Sequence, residues 1–199
     1  MDNDRSHWLT LWHIQNGFAT VSIATSILNC EDDELCLLVE EIEQHSLESG
    51  NNLSDLVSKI TRSTIDYILD GETSLSDLEA CEKAMFGVKF EKRVIRALGL
   101  PRKVSKSKNP HGLKLDTRIA DIELDIKTTL GGKTWMIPAE ALGHWVFGIQ
   151  VDIARETVSF GFLKATPNNL RAGKNRDTKG STSAEGMRRT HWLGRDVPY

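Results

Sequence analysis

Several things are scarce in this sequence, and each absence removes a class of protein. No apolar run approaches the ~20 residues a membrane-spanning helix requires. The polar, acidic start MDNDRSHW lacks the basic-then-apolar pattern of a secretory signal. Cysteine is limited to Cys30, Cys36 and Cys81, an odd number without zinc spacing. That usage fits a reducing cytoplasm better than a disulfide framework or a metal knuckle. The six histidines are scattered, with no HxxxH or CxxC pattern. A cytoplasmic protein with no membrane partner and no nucleotide cofactor is expected.

What is present is an ordinary globular composition over 199 residues, enough chain for one real core. The net charge of −3 hides an asymmetry. Residues 1–100 hold 8 Lys/Arg against 18 Asp/Glu, whereas residues 101–199 hold 17 against 10. An acidic N-terminal layer and a basic C-terminal face follow, and a basic face is where a polyanion binds. The alternative is a charge distribution with no functional meaning.

Residues 1–30 carry Trp8, Leu11, Trp12, Ile14, Phe18, Val21, Ile23 and Ile27, an ordered, partly apolar appendage of either helical or extended form. From Asp32 to about Ser46 the pattern is helical, with Leu35, Leu38, Val39 and Ile42 on one stripe. A second helix follows over about Leu53 to Leu69. Residues 1–50 are taken as a helical appendage and residues 51–199 as the functional domain. Ser76-x-x-Glu79 is the capping box expected to open a third helix, which Gly87 would divide or bend. Past Gly87, Glu91 falls in the stripe of Val88, Ile95 and Leu98; Glu82 is a weaker case of the same kind. A carboxylate on an apolar face is rare unless paired or ligating, so Glu91 either serves a site or meets an Arg or Lys.

The segment Pro101–Gly112, PRKVSKSKNPHG, predicts a mobile basic loop. Arg102, Lys103, Lys106 and Lys108 there are candidate phosphate contacts, the alternative being a solvated loop. Leu113 to Thr129, LKLDTRIADIELDIKTT, alternates in both halves around Ala120-Asp121 and predicts a β-hairpin, although the turn lacks glycine. A two-residue loop pairs Ile119 with Ile122, Arg118 with Glu123, and sets Asp116 opposite Asp125. Opposed carboxylates with Cβ atoms ~4.5–5.5 Å apart are destabilising. A cation between them removes the problem, and Mg²⁺ is a hard ion that takes one or two carboxylates plus waters. Lys127 projects from the same face as Asp125. A one-residue slip would dissolve the arrangement.

Pro138 is expected to open a short helix. Trp145–Ile153 predicts a strand buried on both faces, and Val158–Ala165 a further one. The whole is an α/β (mixed α+β) domain, a mixed sheet flanked by helices. From Thr166 the chain becomes a basic, asparagine-containing tail, with Thr182-x-x-Glu185 capping a short helix. Arg with Asn is the pairing that reads guanine and adenine edges. Lys133, Arg171, Asn175, Arg176, Lys179, Arg188 and Arg189 are therefore candidate DNA contacts.

Asp116 followed by Asp125-x-Lys127 on a hairpin resembles the PD-(D/E)xK nuclease signature, with Leu115 where proline commonly stands and Glu91 upstream on a helix. The surroundings extend the match: EKAMFGVKFE, LDTRIADIELDIK, WMIPAEALGH, NNLRAGKNRDTKG and SAEGMRR. Over about Asn51 to Trp192 the sequence resembles the catalytic domain of NaeI-type type II restriction endonucleases. The resemblance implies a restriction-endonuclease-like core, a homodimer and a double-stranded DNA substrate cut to leave 5′-phosphates. It implies Mg²⁺, with Mn²⁺ able to substitute, held by Asp116, Asp125 and the Ile126 carbonyl, with Glu91 joining through a water or a second ion. Lys127 would act on the attacking water. Those enzymes carry a further C-terminal DNA-binding domain with no counterpart seen in this sequence. The alternatives are a nickase of repair or phage defence, a non-cleaving DNA-binding module, or a helical regulator carrying the motif by accident.

Overall fold

The computed structural model describes residues 32–70, 74, 78–105, 108–173 and 178–199. The appendage expected at residues 1–30, the Ser76 cap, and Lys106, Asn175 and Arg176 lie outside them. Helix α1 spans Asp33–Glu48, and the Asp32 carboxylate caps it by accepting from Glu34 and Leu35 N–H. Its stripe is the expected one, with Leu35, Leu38, Val39 and Ile42 buried. Helix α2, Leu53–Leu69, starts on Asn52, whose side chain accepts from Asp55 N–H at 2.8 Å, and ends on Asp70 in the left-handed region (φ 40°).

Helix α3 departs from expectation in two ways. It runs unbroken over Ala80–Ala97, and Glu79 is its N-cap, with Glu82 closing the capping box. Glu82 is thus spent on the helix start. Gly87 neither divides nor ends the helix. A Cβ there would lie 2.9 Å from Thr128 Oγ1, so the missing side chain lets α3 pack closely over the next sheet strand. Packing overrides the low helix propensity of glycine, worth only ~1 kcal/mol.

Strands β1 (Thr117–Ile119) and β2 (Ile122–Leu130) form the expected hairpin in the expected register, Thr117 with Leu124, Arg118 with Glu123 and Ile119 with Ile122. The first strand is shorter than the alternation from Leu113 implied. Glu123 Oε2 accepts from the N–H groups of both Lys114 and Leu115, and Lys103 N–H donates to Asp116 O, so that segment is tied outside the ladder. The expected Arg118–Glu123 ion pair is accordingly replaced by Arg118 with Asp121 (3.8 Å). Ala120 and Asp121 have φ 46° and 67°, the double left-handed turn that glycine and asparagine adopt more easily. Replacing them by Asn-Gly should raise stability by about 1 kcal/mol, read as a higher urea midpoint at unchanged slope.

A crossover holds β3 (Met136–Ile137) and a 3₁₀ turn, Ala139–Ala141, entered from Pro138. Strand β4 (Trp145–Asp152) then pairs in parallel with β2. Strand β5 (Thr157–Lys164) returns antiparallel to β4. The C-terminal segment is more than a tail. After β6 (Gly180–Ser181) and α4 (Ala184–Arg188), capped by Ser183 rather than Thr182, strand β7 (His191–Pro198) pairs with β5 and closes the sheet. The order is β1-β2-β4-β5-β7, with β3-β6 a separate two-stranded ribbon.

The mixed sheet has two unlike faces. On one, Leu124, Ile126, Phe147, Ile149, Phe160 and Phe162 pack against the three helices in the main core. On the other, a smaller core gathers Leu115, Trp135, Ile137, Ala141, Val146 and Leu163. Strand β4 feeds both, which is why its apolar run is nearly continuous. Among the described residues no helix is long and apolar enough to cross a membrane.

Candidate active site

Asp125 and Lys127 sit two residues apart on β2, so both project from the sheet face that carries the smaller core. Asp116 immediately precedes β1. Its carboxylate folds across the hairpin end, and its Oδ2 accepts from Ile126 N–H at 2.9 Å. The Lys127 ammonium lies among three oxygens: Asp125 Oδ1 at 2.7 Å, Ile126 O at 3.1 Å and Asp116 Oδ2 at 3.6 Å. These are the three groups the sequence assigned to a metal ion.

Asp125 is buried, at 3% exposure, and its Oδ2 has no hydrogen-bond partner. Burial pushes its pKa up to about 7; the Asp116 carboxylate adds to the rise, and Lys127 opposes it. Glu91, on α3, is also raised, first by burial and then by the Asp116 charge, against the pull of Arg102 and Lys127. Three carboxylates, Glu91, Asp116 and Asp125, thus gather around two cationic groups, Lys127 and Arg102.

The donor set fits a hard divalent cation. It consists of oxygens only, one buried oxygen is unpartnered, and a cationic group already converges on the shared centre. Among the described residues no three His, Cys, Asp or Glu side chains come together in a ligating group. The oxygens that would face such an ion are those of two carboxylates and a carbonyl, Asp116, Asp125 and Ile126.

Glu91 is beside this set but engaged elsewhere. Arg102 Nε stands 3.5 Å from its Oε1, the pairing given above as the alternative to ligation. Arg102 also bridges in backbone to Thr117, so this end of the expected mobile loop is an ordered neighbour of β1. Sequence reasoning had Arg102 as a phosphate contact and missed its partner; an odd carboxylate on an apolar stripe, eleven residues upstream, was the only signal. Lys103 donates from Nζ to Lys114 O, while Lys108 is exposed. Arg188 and Arg189 both hold Glu185, Lys179 is exposed, and Lys133 and Arg171 open onto a cavity at the far end of β2.

Comparison with known proteins bears on the same stretch. The family model described as Restriction endonuclease NaeI matches residues 44–199, which include the hairpin, Glu91 and β7. A curated relative, Type II restriction enzyme NaeI of Lentzea aerocolonigenes, is 26% identical over 136 residues. That alignment takes in 66% of this chain and 40% of the relative, so the chain spans well under half of that enzyme's length.

Proposed function

The chain belongs to the restriction endonuclease NaeI family, and from that premise we propose that it is a metal-dependent, sequence-specific endonuclease of double-stranded DNA. The observation that carries the reading is the convergence of Lys127 Nζ on Asp125, Asp116 and the Ile126 carbonyl. A structural lysine needs one carboxylate; this one stands at the centre of an oxygen set suited to Mg²⁺ or Mn²⁺. The bound ion would supply Lewis acidity toward the scissile phosphate and a more acidic water.

The chain's own residues do the rest. Asp116 and Asp125, with the Ile126 carbonyl, would hold the ion, and Glu91 would join through a water or a second ion. Lys127, displaced from the centre but anchored on β2, orients the attacking water and assists its deprotonation. Its charge then stabilises the negative charge gathering on the phosphate oxygens. Water attack at phosphorus with departure of the 3′ oxygen leaves a 5′-phosphate. A palindromic duplex is served by a homodimer, each copy cutting one strand.

The test is cleavage of methylated and unmethylated genomic DNA with Mg²⁺ or Mn²⁺ and mapped ends. Lys127→Ala should lower the rate ~10²–10⁴-fold, the scale of a positioned proton-transfer group, without loss of DNA binding. Undiminished cleavage by that variant would remove this site from consideration. End-labelled duplexes separate a double-strand cutter from a nickase, which leaves one strand whole.

A further inference from the structure

At the far end of β2 the sheet face that carries Asp125 and Lys127 opens into a cavity of about 770 Å³. Strand register places it there: Asp125 pairs with Val146, Lys127 with Gly148 and Thr129 with Gln150, and paired residues share a face. Gln150 then pairs with Ser159 on β5, and both line the cavity. From Lys127 to Gly131, the residue just past the end of β2, is roughly 13 Å of extended chain. That is close to the ~12 Å width of the major groove, so one DNA molecule reaches both.

The cavity's lining is basic and partly aromatic. Lys133, Arg155, Arg171, Arg188 and Arg195 line it, with Asp152 and Asp196 the only acidic residues of the lining among the described residues. Arg155 is held by Asp152 (3.8 Å) and Arg188 by Glu185. Lys133, Arg171 and Arg195 make no ion pair with a described residue, and all three are exposed. The half-buried indole of Trp192 forms part of the wall, braced by buried Trp135 at a ring separation of 5.8 Å, with the Arg195 guanidinium 5.6 Å from its ring.

Contact with the outside of a duplex requires cations but no concavity and no aromatic wall. A volume of this size is that of a site that encloses a small ligand. A basic groove combined with an aromatic platform is the combination that holds unpaired nucleotides, phosphates on the cations and a base on the ring. We propose that this cavity binds an unpaired nucleotide of the DNA strand, seated over Trp192 with its phosphates against Lys133, Arg171 and Arg195. The proposal rests on the nuclease reading for its substrate, and adds that the DNA is locally opened, or met already open, at this distance from the cut.

The experiment uses the full chain carrying Lys127→Ala, so that DNA is bound but not cut. Fluorescence anisotropy compares a fully paired duplex with the same duplex carrying three unpaired nucleotides in one strand. The open DNA should bind about 10-fold more tightly, the scale of one stacked base. Trp192→Ala should abolish that preference, Trp192→Phe should keep it, and Arg171→Ala or Arg195→Ala should weaken it. Both arginines are exposed, so those variants stay informative should Trp192→Ala fail to fold. Equal affinity for the two DNAs, or a preference that survives the substitutions, overturns the cavity proposal while leaving the nuclease reading standing. Absence of salt-dependent binding to either DNA overturns both.

Discussion

Asp125→Asn should end cleavage and, in the absence of divalent ions, make the protein more stable. The two effects have one cause. Asp125 is buried with an unpartnered Oδ2, and burial with the neighbouring Asp116 charge brings its pKa up to about 7. An amide is a neutral stand-in for the protonated form and has nearly its shape. Burial is the first cause of the raised pKa, so a neutral side chain there should gain roughly 1–3 kcal/mol near neutral pH, the relief of desolvation exceeding the loss of the 2.7 Å contact with Lys127, and each 1 kcal/mol raises the melting temperature by about 2–4 °C at this chain length. The expected loss in cleavage rate is ~10³-fold or more, since one of two carboxylates suited to the ion is gone. Thermal melts and cleavage assays on the same preparation check both halves. A variant that melts at or below the wild-type temperature without divalent ions contradicts the electrostatic account.

The pH dependence follows with a definite sign. A carboxyl whose folded pKa is raised keeps its proton in the native state where the unfolded chain has already lost it. Between the ordinary value of 3.8 and about 7 the native state binds more protons, so stability falls as pH rises through that window. Asp125→Asn should flatten this slope. Affinity for the divalent ion should rise across the upper part of the same window, because ligation needs the deprotonated form. Isothermal titration with Mg²⁺ at pH 6 and pH 8 measures it: equal affinities would sink the linkage.

The second large effect is structural. Trp135→Ala should cost about 3–5 kcal/mol, the usual range for emptying a buried aromatic site. Trp135 is fully buried, its indole Nε1–H donates to Ile149 O at 3.0 Å and its backbone N–H to Thr182 Oγ1 at 3.0 Å. Its ring fills the space over Gly148, where a Cβ would stand 2.4 Å from the ring. Gly148 is the residue paired with Lys127. The indole therefore supports the sheet directly beside Lys127, and its loss should lower both the denaturation midpoint and the cleavage rate at temperatures where the variant is still folded. Chemical denaturation with tryptophan fluorescence and cleavage well below the midpoint would separate the two.

The parts of this fold that could be read from sequence are those set by local pattern. Leu35, Leu38, Val39 and Ile42 reveal α1 because helix period is a local property, and α2 runs over the very residues its stripe marks. The hairpin register follows from loop length, and with it the meeting of Asp116, Asp125 and Lys127. What could not be read depends on a partner distant in sequence. Gly87 looks like a helix breaker until Thr128 is found against it. Arg102 looks like a solvated cation until Glu91 is found beside it. Strand β7 is only partly buried and rich in charge, and only its pairing with β5 defines it.

The parallel pairing of β2 with β4 has a consequence for when the candidate site comes into existence. The β4–β5 hairpin closes over a short turn, whereas β2 pairs with β4 across the crossover that holds Trp135. Such non-local pairing is slow compared with helix and hairpin formation. The groups proposed for the chemistry sit on β2, so their geometry beside Gly148 and Trp135 exists only once the parallel pairing has formed.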